Sequence, residues 1–198
     1  MPEKLINHKN EAIRLAARVS FQPEGDATGW SFSHPVNLLL ADMDGIDLAR
    51  AALGQAIMPQ ANLQGACLLK ANFRGADLRM SKLVKAVLEG GNLRQANLER
   101  VDFSHANLIR ANLAGAHLQG ANLYRADLSG ANLQGANLQG VRNMTSAHLK
   151  GAFWDERTTW PDDYEPECRV STMAQRCQTT AIVAGDFSHQ SHRSGWCD

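Results

Sequence analysis

The 198-residue sequence predicts an all-β solenoid, on two observations. From Val36 to Gly140 a large apolar residue returns every five positions, running from Leu38, Met43, Leu48, Leu53 and Met58 to Leu128, Leu133 and Leu138 without a miss. Two positions before each stands a residue that is nearly always Ala, with only Val36, Ile46, Ser81, Gly91 and Val101 departing from the rule. A period of five fits neither an α-helix nor a simple strand, and unbroken self-similarity over so long a stretch marks a repeat array. No other position is apolar often enough to build a core, so the bulky and the small residue must both point inward. Three extended residues with the middle one inward, followed by a corner, meet that demand. The Ala then sits where the chain bends closest to the axis. Asn or Asp usually precedes the central residue, as at Asn62, Asn72 and Asn132. Such side chains bond readily to nearby backbone at turns, so they read as turn chemistry before they read as ligands.

Pentads such as Ala61-Asn62-Leu63-Gln64-Gly65, Ala71-Asn72-Phe73-Arg74-Gly75 and Ala131-Asn132-Leu133-Gln134-Gly135 have the form A-(N/D)-L-x-x. On these the chain closely resembles the pentapeptide-repeat family, over more than half its length. The resemblance implies a right-handed quadrilateral parallel β-helix with four pentads to each coil. Equivalent residues would then stack twenty positions apart, at about 4.8 Å, and each coil would be stabilised chiefly by its neighbours. Some members, including fluoroquinolone-resistance proteins, are similar to duplex DNA in shape and charge and bind type II topoisomerases.

Three segments are expected: an N-terminal helix and linker cap over residues 1–35, the β-helix over 36–154, and a C-terminal cap and irregular tail over 155–198. Leu5, Ala12, Ile13, Leu15, Ala16 and Val19 describe a short amphipathic helix, a capping element for the open end of the solenoid. Phe21 to Pro35 is a linker in which Trp30 and Phe32 are expected to plug the first coil. The segment Pro2 to Ser20 has charges throughout and no long apolar run, so it reads as neither a signal peptide nor a membrane span, and a cytoplasmic location is expected. After Leu138 the register slips: Met144, Leu149 and Trp154 resume the spacing, so one residue is inserted near Gly140 to Asn143 as a bulge at a corner. The segment Thr159 to Glu167 resembles the exit segment of cyanobacterial members of the family, with Trp154, Trp160 and Tyr164 folding over the lower end. The tail holds Cys168, Cys177, His189, His192 and Cys197 at spacings unlike those of standard zinc fingers. Without an export signal, disulfides are disfavoured, and Cys67 lies far from the other cysteines in the chain.

Catalytic constellations are poor. Asp102, Ser104 and His105 supply the residue types of a triad, but neighbouring positions on one outward wall provide no pocket. No phosphate loop, zinc-protease motif or paired-cysteine motif occurs. The expectation is therefore a non-enzymatic scaffold with no cofactor and no resident metal, acting through contacts with a protein partner. Sorting outward residues by face gives a candidate partner-binding face: Leu69, Val87 and Ile109 in neighbouring coils, bordered by Arg50, Lys70 and Arg110. Neither nucleic acid nor membrane is an expected partner, while a homodimer through the C-terminal end is. The alternative is a DNA mimic that binds gyrase. It requires a strongly acidic surface, whereas the array carries Arg50, Lys70, Arg74, Arg79, Lys82, Lys85, Arg94, Arg100, Arg110 and Arg125 against fewer acids.

Overall fold

In a computed structural model, residues 37–166 are described. The residue before each central position bridges in parallel to its equivalent twenty positions on, as in Asn37 to Ile57, Ile57 to Asp77 and Asp77 to Asn97. Four pentads therefore close one coil. No strand longer than these isolated bridges occurs among the described residues. Each coil instead hangs from the next by recurrent backbone bonds, such as Leu98 N–H to the His117 carbonyl at 2.7 Å and Arg100 N–H to the Gln119 carbonyl at 2.9 Å.

Both inward residues are where the period requires them. The central residues from Leu48 to Leu138 and the Ala residues between them form one buried cluster along the axis. The corner after each central residue is a four-residue turn closed by the following Ala N–H, as in Ala111 to the Leu108 carbonyl at 3.0 Å. Its third residue takes a positive φ in every pentad from Leu40 to Gly140. Glycine accepts that conformation without strain. The many Arg, Lys and Gln residues that share it are held there by the ladder.

The Asn and Asp residues act as turn chemistry. The Ser129 N–H donates to Asp127 Oδ1 at 2.9 Å, and the Gln134 N–H to Asn132 Oδ1 at 3.0 Å, two residues on in each case. Some also link coils: Asn62 Nδ2 donates to Asp42 Oδ1 at 2.8 Å. Two places of the usual Ala are filled by hydroxyl residues. Ser81 Oγ donates to the Met58 carbonyl at 2.8 Å and Thr158 Oγ1 to the Leu133 carbonyl at 2.9 Å, so neither buried hydroxyl is left unsatisfied.

The expected inserted residue is Asn143, at φ 60, followed by a 3-10 turn over Met144–Ser146 that delivers Met144 into the core. Bridge spacing then grows from twenty residues at Asn122 to Arg142 to twenty-one at Asp127 to His148. A second insertion, unexpected from the sequence, follows Trp154, since Asn137 bridges to Thr159 at a spacing of twenty-two. The added loop is held by Asp155, which accepts from the Gly135 N–H at 2.8 Å, and by its ion pair with Arg157 at 2.6 Å. The lower end is covered as expected: Trp154 meets Trp160 edge-on with ring centroids 5.5 Å apart, and Tyr164 follows at 5.5 Å from Trp160. The expected N-terminal helix, Trp30, Phe32 and the cysteine and histidine tail all lie outside the described residues.

Candidate partner-binding face

One wall is defined by the bridge column Asp47, Cys67, Val87, Asn107 and Asp127. Two residues along each strand lie Ala49, Leu69, Glu89, Ile109 and Ser129. They are tied coil to coil by corner N–H groups, with Arg50 bonding to the Leu69 carbonyl at 2.7 Å and Lys70 to the Glu89 carbonyl at 2.9 Å. Leu69, Val87 and Ile109 are half-buried on this wall, and Arg50, Lys70 and Arg110 stand exposed at its corner. Glu89 lies between Leu69 and Ile109 in their column, so the apolar side chains zigzag, stepping to Val87 in the neighbouring column and back.

Two of these cations, Lys70 and Arg110, hold their positions for a packing reason. A methyl group at Gly90 would come within 3.3 Å of Lys70 Cγ, and one at Gly130 within 3.4 Å of Arg110 Cγ. The stem of each long side chain thus lies over a glycine in the following coil, which leaves the charged head at the rim. Cys67, one coil above Val87 in its column, is 2% exposed. It is disulfide-bonded, contrary to the expectation from the sequence, and its partner is not among the described residues.

The wall with Asp102, Ser104 and His105 lacks a triad's geometry. Ser104 Oγ donates directly to Asp102 Oδ1 at 2.5 Å and accepts from Asn122 Nδ2 at 2.8 Å. His105 does not stand between them; its ring meets Tyr124 edge-on at 5.4 Å, and Arg125 lies over that same tyrosine at 5.3 Å. No group of three or more His, Cys, Asp or Glu residues among those described is placed to hold a metal ion.

Ion pairing is sparse among the described residues. Arg79 donates to both carboxylate oxygens of Asp77, at 2.9 and 2.7 Å, and those hydrogen bonds hold the Asp77 carboxyl below its ordinary range despite partial burial. At Asp155 burial pushes the pKa upward, but the Arg157 side chain and the Gly135 N–H outweigh it and the net shift is down.

The sequence pattern does not single out a second apolar wall. Leu39, Leu40, Ile57 and Met80 are the exposed large aliphatic side chains of the described residues. The signal is present in the sequence as a departure from the pentad: Ile57 replaces the usual Asn or Asp, and Met80 occupies a corner favoured by glycine and long polar residues.

The pentapeptide repeats family model matches residues 41–79, 81–118 and 106–142, in eight copies. Among solved structures the chain is similar to Rfr23, a pentapeptide repeat protein from the cyanobacterium Cyanothece 51142, at 33% identity, over 63% of this chain and 90% of that one, with a TM-score of 0.41. It is similar also to a pentapeptide repeat protein from the Arabidopsis thaliana thylakoid lumen, at 29% identity, over 63% and 77%, with a TM-score of 0.41. QnrB1, a plasmid-mediated fluoroquinolone resistance protein, matches at 16% identity, over 61% and 82%, with a TM-score of 0.32. No curated protein matches. With the family model spanning half of the sequence and the coils closing at four pentads, the chain belongs to the pentapeptide-repeat family.

Proposed function

We propose that this protein is a non-enzymatic scaffold that binds a protein partner through the wall bearing Leu69, Val87 and Ile109, with Arg50, Lys70 and Arg110 as its cationic rim. The observation that carries the proposal is how the patterned residues are used. Leu and Ala fill the axis, Asn and Asp close the turns, and glycines receive the side chains stacked on them. Specificity therefore rests with the outward residues, and this wall combines an apolar strip with a charged border. Its complement is an apolar surface edged with carboxylates.

The DNA-mimic alternative finds less support. Asp42, Asp47, Asp77, Asp102 and Asp127 each accept a backbone N–H two residues on, and with all acids counted Arg and Lys still outnumber Asp and Glu over residues 36–140. At 16% identity and a TM-score of 0.32, QnrB1 adds nothing to that reading. Among the described residues no helix is long and apolar enough to cross a membrane. A homodimer through the C-terminal end would rest on residues after Pro166 and remains an expectation.

Affinity capture from native lysate tests the proposal, with the intact chain and a Leu69→Asp, Ile109→Asp variant as parallel baits. A protein retained by the first and lost by the second supports a binding module on this wall. Recovery of gyrase or topoisomerase subunits by both would transfer support to the mimic, and capture by neither would remove the proposal's basis.

A further inference from the structure

The wall with Asp102, Ser104 and His105 carries an unbalanced charge. Its bridge column runs Asp42, Asn62, Lys82, Asp102, Asn122 and Arg142. Its corner column steps from Gly45 and Gly65 to Lys85, His105 and Arg125. The corners are tied coil to coil, with Lys85 N–H bonding to the Ser104 carbonyl at 2.9 Å and His105 N–H to the Tyr124 carbonyl at 2.8 Å. Asp42 and Asp44 make the upper end acidic, whereas farther down Lys82, Lys85, Arg125 and Arg142 all stand exposed. Over the whole sequence Lys and Arg equal Asp and Glu in number, so this excess is a local segregation of charge.

None of these cations is paired among the described residues, whose ion pairs belong to Arg79 and Arg157. Asp102 is the acid of this lower part, and its Oδ1 is engaged within the wall: it accepts from the Ser104 N–H at 3.0 Å, from Ser104 Oγ and from Asn122 Nδ2 at 3.1 Å. Arg125 is also held in place, since its guanidinium lies 5.3 Å from the centroid of the Tyr124 ring, which His105 meets edge-on at 5.4 Å. Part of the ordering that a long side chain undergoes on binding is thus complete before any partner arrives.

We propose that this wall binds an acidic peptide segment of a protein partner, laid in extended form along the solenoid axis with its carboxylates against Lys82, Lys85, Arg125 and Arg142. Charge complementarity selects the occupant. Coils about 4.8 Å apart put Lys82 and Arg142 about 15 Å apart along the axis, the reach of about five extended residues. Nucleic acid fits less well, because a duplex-binding surface typically engages about six to ten phosphates, more than these cations can meet. Tyr124, moreover, is occupied by Arg125 and His105 and is not a free ring on which a base could stack. The site is separate from the wall of Leu69, Val87 and Ile109, and neither proposal rests on the other.

Fluorescence anisotropy of a labelled hexaglutamate peptide, titrated with the full chain, tests the proposal. Hexaglutamate should bind at least about tenfold more tightly than hexaglutamine and should lose about tenfold in affinity between about 20 and about 200 mM salt, as exposed charges are screened. Lys85→Glu with Arg125→Glu should weaken binding about tenfold or more, whereas Arg74→Glu with Arg94→Glu, the same charge change at exposed positions of the opposite wall, should alter it by no more than about twofold. Absence of hexaglutamate binding overturns the proposal, and so does binding that survives Lys85→Glu with Arg125→Glu. Equal loss in the two variants would reduce the effect to net charge and overturn it as well. Tighter binding of hexathymidylate than of hexaglutamate would assign the wall to nucleic acid, with the same consequence. Should the charge reversal at Lys85 and Arg125 prevent folding, Lys85→Gln with Arg125→Gln carries the same comparison.

Discussion

Replacing Leu98 by Ala probes the repeat at its centre. Leu98 is 0% exposed, its backbone N–H bonds to the His117 carbonyl at 2.7 Å, and Leu78 and Leu118 occupy the equivalent places in the coils before and after. The substitution removes three carbon atoms, worth about 0.8 kcal/mol each in transfer free energy, or about 2.4 kcal/mol together. A cavity adds to this, because the neighbouring side chains hang from a backbone ladder that resists collapse. The combined cost should be about 3 to 5 kcal/mol. Because each coil is stabilised by its neighbours, the whole array should feel the loss. Urea unfolding followed by circular dichroism measures it as a lowered midpoint at unchanged slope. A loss below about 1 kcal/mol, the range of surface substitutions, would refute the inward placement of the central residue.

Ser81→Ala should change stability by about 1 kcal/mol or less, since Ala61 N–H retains the Met58 carbonyl at 3.3 Å once the hydroxyl is gone; a loss above about 2 kcal/mol in urea would contradict this. The Asp77 carboxyl titrates below its ordinary value of 3.8 in the folded chain, so its contribution is present above that pH and disappears as pH falls through the lowered folded value. Asp77→Asn should therefore be slightly less stable than the parent at pH 7, with the difference vanishing at the acid end; a difference that grows on acidification would reverse the sign. Cys67 should resist alkylation in the denatured chain until a reductant is added, and labelling without reductant would contradict its disulfide.

How much was legible in the sequence follows from how strictly each residue is constrained. Leu63, Ala61 and Asn62 are each fixed by one physical demand: filling the axis, clearing it, and closing the corner. Because those demands recur every five residues, the period shows which residues point inward, while the number of pentads in a coil came from the resemblance to the family and is seen in the twenty-residue bridges. The insertion near Gly140 to Asn143 was legible for the same reason, since the pattern resumes out of step at Met144, and the structure identifies the residue as Asn143. The second insertion was not, because Thr158 stands in for Ala and Trp160 for Leu, so the pattern no longer marks its own phase. Outward residues carry no such constraint. The wall of Leu39, Leu40, Ile57 and Met80 escaped notice because its members occupy three different pentad positions, and only the coil geometry brings them together. Leu69, Val87 and Ile109 could be grouped from the sequence, but their half-burial and the interposed Glu89 required the structure. The Cys67 pairing has no signature in spacing at all.

The division between structural inside and functional outside is tested most directly by thermal unfolding of two variants that differ by one position. Leu69→Asp with Ile109→Asp alters the half-buried wall, whereas Leu68→Asp with Leu108→Asp places carboxylates at positions 0% exposed. The outward pair should lower the midpoint by no more than about 5 °C, and the inward pair should abolish the cooperative transition. Collapse of the outward pair, or an inward pair that still melts cooperatively near the parent, would contradict the assignment of these faces and the proposed partner site with it.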